Sequence, residues 1–231
     1  MKTITKVIVI LMAMVCATGC TKKEKPESHD YVDLGLPSGI LWATCNIGAT
    51  TPEGYGDSFA WGETTMKTTC NWSTYKYCKG SSSRMTKYCT ETESGYVYGN
   101  NGFTDNLTIL QPEDDVATVN WGSDWRMPTW EDWEELYENT TNTWTTQNNV
   151  KGRLFVGPNG KSIFLPAAGL QEDDKFYNVS SSGYYWLSSL YTDMPNCAWC
   201  FAFSSGPFCG GDWYSRYFGL SVRPVRSAGK N

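Results

Sequence analysis

The longest continuous apolar run in the chain is Val7–Val15, behind the basic Lys2 and Lys6 and ahead of Ala17-Thr18-Gly19-Cys20. It is too short to span a bilayer, and its basic flank, apolar core and small terminal residues make it a secretory signal. Beyond it, apolar residues come in short bursts. Tyr31–Ile47 carries two alternating runs around Leu36-Pro37-Ser38-Gly39, which predicts a hairpin. Gly54–Glu63 adds a short strand or turn containing Trp61. From Thr64 to Gly102 the pattern loses all periodicity, so this stretch is expected to be functional or loosely draped.

The clearest helix follows Pro128. Thr129 is its cap, Asp132 completes a capping box, acids fill the first turns, and Trp133, Leu136 and Tyr137 recur at helical spacing as the core-facing positions. Polar Asn139–Asn149 ends it. Arg153–Phe155 and Ser162–Leu165 flank Gly157-Pro158-Asn159-Gly160, a hairpin signal. Near the end, Tyr184–Ser189, Ala198–Phe203 and Leu220–Val225 alternate with Gly-, Pro-, Asp- and Asn-rich loops, as antiparallel strands do. Strands of this kind with one clear helix predict an α+β fold.

Composition narrows the function classes. Net charge is −5 and falls by two, to −7, once Lys2 and Lys6 leave with the leader. No basic stripe remains for phosphates, so nucleic acid is excluded as the expected partner. The single histidine, His29, lies in the polar linker Thr21–Asp30, which leaves no Ser-His-Asp triad. The acids Glu131, Asp132, Glu134, Glu135 and Glu138 sit together on one helix, where a solvated face is the simplest account. Glu113, Asp114 and Asp115 admit two readings, a calcium site on adjacent carboxylates or a solvated acidic turn after Pro112, so calcium is the one cofactor left open.

With Cys16 in the leader and Cys20 at its end, seven cysteines remain: Cys45, Cys70, Cys78, Cys89, Cys197, Cys200 and Cys209. The number is odd, so at least one is unpaired within the chain, and Cys70, Cys78 and Cys89 are the nearest local partners. Cys197 and Cys200 have CxxC spacing. On a strand, however, residues three apart point to opposite faces, so these thiols should diverge.

Eleven Trp and fourteen Tyr imply a Trp-rich core, an aromatic recognition surface or both. Tyr191, Phe208, Trp213, Tyr214, Tyr217 and Phe218, set among Ser, Gly and Asp, have the composition of a recognition surface: rigid aromatic anchors with adaptable polar neighbours. The loop positions from Phe208 to Tyr217 are the favoured contacts. Such a surface suits a protein or carbohydrate ligand.

Several segments also resemble known families. Ala17-Thr18-Gly19-Cys20 is similar to a bacterial lipobox, which implies a lipid on Cys20, a mature chain starting there, and an outer-membrane, surface-exposed protein. Trp125-Arg126-Met127-Pro128-Thr129 with Glu131, Asp132 and Trp133 resembles the formylglycine-generating-enzyme superfamily. Val32–Gly39, Leu41–Asn46, Phe59–Glu63, Trp125–Thr129, Phe164–Gly169 and Gly219–Arg226 together resemble the Fibrobacter succinogenes major paralogous domain family. That resemblance implies a C-type-lectin-like fold across residues 31–231, after a signal peptide (1–19) and a tether (20–30). Residues 184–226 also resemble the variable region of proteins diversified by retroelements. The implied scaffold includes Tyr185, Trp186, Phe203, Arg216 and Arg223. The implied ligand-binding set is Leu187, Leu190, Tyr191, Asp193, Cys197, Cys200, Phe208, Cys209, Asp212, Trp213, Tyr214, Tyr217 and Phe218. The expected protein is a non-enzymatic, lipid-anchored binder. The alternatives are an oxidising enzyme using Cys200 with Cys209, or a subunit of a surface fibre.

Overall fold

A computed structural model describes residues 29–228. The leader, Cys20 and nearly all of the tether lie outside these residues. In chain order the elements are β1 (Tyr31–Asp33), β2 (Leu41–Ala43), α1 (Val116–Trp121), α2 (Trp130–Asn139), β3 (Thr141–Gln147), β4 (Val150–Val156), β5 (Ser162–Pro166), β6 (Leu170–Glu172), β7 (Lys175–Tyr177), β8 (Ser182–Leu190), β9 (Cys197–Ser204), β10 (Cys209–Ser215) and β11 (Val225–Arg226). The class is α+β, with antiparallel sheets ordered β1-β2-β11, β10-β9-β8, β3-β4-β5 and β6-β7. Among the described residues no helix is long and apolar enough to cross a membrane.

The β8–β9 pair is a partition between two cores, because successive residues on a strand face opposite ways. Tyr184, Trp186 and Leu190 of β8, with Ala198, Cys200 and Ala202 of β9, face a core that includes Trp61, Tyr75, Tyr88, Trp125 and Met127. Tyr185 and Leu187, with Phe201 and Phe203, face a second core built on Trp42, Trp133, Leu136, Phe155 and Leu165. Two indoles tie the first core to the chain at Phe59–Trp61. Trp186 Nε1 donates to the Phe59 carbonyl at 2.7 Å, and Trp61 Nε1 to the Leu187 carbonyl at 2.8 Å.

α2 begins where its cap places it. Asp132 N–H donates to Thr129 Oγ1, Thr129 N–H donates to Asp132 Oδ2 at 2.7 Å, and Arg126 binds the same carboxylate with both terminal nitrogens. Trp133 and Leu136 are buried as expected, but Tyr137 is 42% exposed, since it lies beyond the edge of the buried stripe. Polar Asn139–Asn149 is not a turn but mostly strand β3, whose Thr-rich sequence pairs with β4 along its whole length. Only one side of β3 has a neighbour, so its polar residues sit at an edge. The run Leu220–Val225 is not a continuous strand. It makes single bridges, Leu220 to Phe59 and Ser221 to Tyr185, before β11.

Residues Thr64–Gly102 have little regular structure, yet they are firmly held. Tyr75, Tyr77, Met85, Tyr88 and Cys89 are buried. Arg216, itself fully buried, donates to the carbonyls of Lys87, Tyr88 and Pro195 and to the Tyr75 hydroxyl at 2.8–2.9 Å.

Asp114 holds the same segment from the other side. It is 2% exposed and accepts from Tyr77 Oη, from Tyr88 Oη at 2.7 Å and from Lys87 Nζ at 2.5 Å. Burial alone would raise this carboxyl, but the hydrogen bonds from Lys87, Tyr77 and Tyr88 prevail and hold it below the usual carboxylate range. A depressed folded value means the contribution is present above the unfolded value of about 4 and is lost as pH falls through the lower folded value. Asp114→Asn should therefore lower the unfolding free energy by about 2 kcal/mol at neutral pH. It should also make the urea midpoint less steep with pH below about 4 than in the parent. Parallel acid limbs for the two proteins would contradict this account.

Candidate functional site

The aromatic residues favoured as loop contacts fall largely on a strand. β10 pairs with β9 from Cys209↔Phe203 to Ser215↔Cys197. The glycines Gly210 and Gly211, weak strand formers, conceal it in the sequence, and cross-strand pairing overrides their propensity. Alternation then sorts the side chains. Cys209, Gly211, Trp213 and Ser215 share the face of Phe201 and Phe203, whereas Asp212 and Tyr214 share the face of Cys200 and Ala202.

On the first face four rings form a continuous ledge. Trp130 lies 4.5 Å from Trp199, Tyr191 meets Trp199 edge-on at 4.9 Å, and Tyr191 stacks on Trp213 at 5.3 Å with the planes only 7° apart. Trp213 is 42% exposed and Phe208, just before β10, is 48% exposed. Gly211 makes the ledge possible, because its bare backbone lies directly under the Trp130 ring. On the second face Tyr214 meets Phe218 edge-on, Phe218 stacks on Tyr217 at 4.5 Å, and Tyr217 meets Trp72 at 4.8 Å. The Tyr217 hydroxyl donates to Glu172 at 3.0 Å. Burial, reinforced by neighbouring phenols and acids, pushes Tyr214 and Tyr217 well above the ordinary tyrosine value. Burial and then Asp193 raise Tyr191. These rings stay neutral across the physiological range and act as apolar bodies with a hydrogen-bonding tip.

Of the expected binding residues, Phe208, Trp213 and Asp193 are exposed, and Tyr191, Cys209, Asp212, Tyr214, Tyr217 and Phe218 are half-buried. Leu187, Leu190, Cys197 and Cys200 are not at the surface: all four are buried. They belong to β8 and β9, whose two faces are both largely covered, so these four side chains lie inside the cores and not at the surface. Trp130 and Trp199 complete the ledge although the sequence did not single them out for binding. The signals were present, since Trp130 follows the helix cap directly and Trp199 lies between the CxxC cysteines.

All seven cysteines are free thiols, so the local pairing of Cys70, Cys78 and Cys89 does not form. Cys197 and Cys200 sit on opposite faces of β9, and burial pushes Cys197 up to about 11 and Cys200 well above its ordinary value. Cys200 and Cys209 are also divided by the sheet, which separates the two thiols of the oxidising-enzyme alternative. Glu113, Asp114 and Asp115 part company: Glu113 stays exposed beside Lys87, and the other two are buried. Asp115 caps α1 through the Ala117 and Thr118 N–H groups and accepts from Met127 N–H, while Asp114 is taken up by tyrosines and lysine. Among the described residues no group of three His, Cys, Asp or Glu side chains could hold a metal ion. A cleft of about 330 Å³ beside α1 is lined by residues that include Leu110, Asp115, Asp124, Arg126 and Ser188; Asp115 and Arg126 already serve Met127 and Asp132, and Asp124 pairs with Arg226. Comparisons with protein-family models, curated proteins and solved structures found no match.

Gly211→Ala tests the ledge. The added methyl would overlap the far edge of the Trp130 ring, so the ring must swing away from Trp199. The near-UV circular dichroism of the coupled indoles should change, with a stability loss of about 1 kcal/mol because the ring is at the end of a movable side chain. An unchanged spectrum would mean that Trp130 does not rest on Gly211.

Proposed function

We propose that this chain is a lipid-anchored protein of the bacterial cell envelope, with a C-type-lectin-like domain that binds a protein or glycan ligand through the aromatic surface around β10. The observation that carries the reading is the parallel Tyr191–Trp213 pair, partly open to solvent on a sheet whose other strands are locked between two cores. Rigid rings on a fixed platform lose little conformational entropy on binding, and the exposed Trp213 and Phe208 are the kind of anchor that dominates interface energies. Asp193 supplies an acceptor beside Tyr191, and Asp212 one at the β10 edge, for the hydroxyls of a sugar or the amides and cations of a protein. The lipobox-like Cys20 and the polar Thr21–Asp30 tether would hold this surface away from the membrane. The role is recognition rather than catalysis, and the burial of Cys197 and Cys200 agrees with thiols that do no chemistry.

The anchor and the surface are separable tests. Cys20→Ser should move the expressed protein from the membrane fraction to the soluble fraction, and full retention in the membrane would remove the anchor from the reading. Screening the purified chain against glycan arrays and random peptide libraries should give ligands whose affinity falls at least ten-fold, about 1.4 kcal/mol, in Trp213→Ala/Phe208→Ala. Ligands indifferent to that double substitution would place binding elsewhere.

A further inference from the structure

β10 ends the sheet β10-β9-β8, so one of its edges has no strand beside it. The register fixes which backbone groups face that edge. Arg216 N–H donates to the Asn196 carbonyl and Ser204 N–H to the Phe208 carbonyl, so these are hydrogen-bonded pairs. With the pairing continuous between them, Gly210, Asp212 and Tyr214 turn their amides and carbonyls inward to β9. Cys209, Gly211, Trp213 and Ser215 turn theirs outward.

Two outward groups are already engaged from within the chain. Ser215 C=O accepts from Phe218 N–H at 3.0 Å, and Trp213 N–H donates to Asp212 Oδ1 at 2.9 Å. The Asp212 carboxylate thus stands where the carbonyl of a neighbouring strand would stand. Gly210 and Gly211 present backbone without side chains, and around the position of a Gly210 Cβ there is open space to 4 Å. An incoming strand would therefore meet bare backbone at the centre of β10, with room for large side chains of its own on the Gly210 face, while the Trp130 ring covers the Gly211 face on the side of Trp213.

We propose that this edge receives an extended peptide segment of a partner as a fourth strand, with a basic residue placed for Asp212. The inference rests on the reading of the β10 surface as a binding surface and names the class of partner. Backbone pairing supplies register-independent affinity, and the Trp213 ring beside the edge selects apolar side chains on its own face, at every second position of the guest. Charge selects against a second copy of this chain. Two β10 edges paired about their centres would bring two Asp212 carboxylates together, whereas a basic peptide turns the same group into a salt-bridge partner once it leaves Trp213 N–H.

The test uses the full chain and a phage-displayed random peptide library. Selected peptides, resynthesised with single N-methyl amides, should lose affinity at least ten-fold at every second position and little at the positions between. Amide exchange at Gly211 and Trp213 should slow at least ten-fold on binding, and Trp213→Ala should weaken the peptide by a similar factor. Peptides that depend on Trp213 but show no alternation in the N-methyl scan overturn the added strand and leave the binding surface standing. Failure to select any peptide, while a glycan binds in a Trp213-dependent way, overturns the added strand in the same manner. Ligands of either kind that ignore Trp213 overturn both. A dimer in solution, with the β10 amides protected before any peptide is added, makes a second copy the occupant and overturns the peptide.

Discussion

Two guanidinium groups without a carboxylate partner hold the irregular parts of this protein in place. Arg216 and Arg223 are 0% and 1% exposed, and among the described residues neither forms an ion pair. Arg223 donates to the carbonyls of Ala43, Thr44 and Phe164 and to Asn46 Oδ1, while Arg216 gathers the carbonyls of Lys87, Tyr88 and Pro195 and the Tyr75 hydroxyl. Burying a cation is costly unless its donors are satisfied, and a guanidinium presents five of them in a fixed plane. Burial lowers the Arg223 value, but from a level so high that the group remains charged. Each arginine therefore demands a particular ring of backbone oxygens, and loops with no ladder of their own acquire partners by providing it. This is how a chain with a long unpatterned middle reaches a defined shape.

The same constraint explains which parts of the fold were legible in the sequence. The capped helix α2 and the β4–β5 hairpin are local: Thr129 with Asp132, and Pro158 with Gly160, act over a few residues, and both elements form where expected. Strands β3 and β10 were hidden because their pairing partners decide them. Thr141–Gln147 has strand-favouring Thr and Trp but no apolar alternation to show it, the Gly210-Gly211 dipeptide carries little strand propensity, and pairing with β4 and β9 makes them strands. The segment 64–102 looked loose because its restraints come from distant residues, Arg216 and Asp114, which no local pattern announces.

The candidate surface was half legible for a related reason. Composition pointed to a stretch in which Phe208 and Trp213 are exposed and Tyr191 is half-buried. What composition could not supply was parity. A sheet covered on both sides buries odd and even positions alike, so Leu187, Leu190, Cys197 and Cys200 fell inside. Parity also protects the register. A one-residue slip of β9 would exchange Phe201 and Phe203 with Cys200 and Ala202, and neither core could accept the change in volume.

The sheet β1-β2-β11 has a consequence of another kind. Its outer strands contain residues 31–33 and 225–226, so both ends of the folded region leave the body from a single short sheet, on either side of β2. Neither end threads through a core. His29 stacks on Trp121 and the Asp30 carbonyl accepts from Thr44 N–H, so it is the chain before His29 or after Arg226 that can be lengthened, shortened or exchanged without disturbing the partition between the cores, as long as β2 keeps its two neighbours. In architectural terms the fold is a module with its inlet and outlet side by side, suited to being hung from a stalk or spliced into a longer chain.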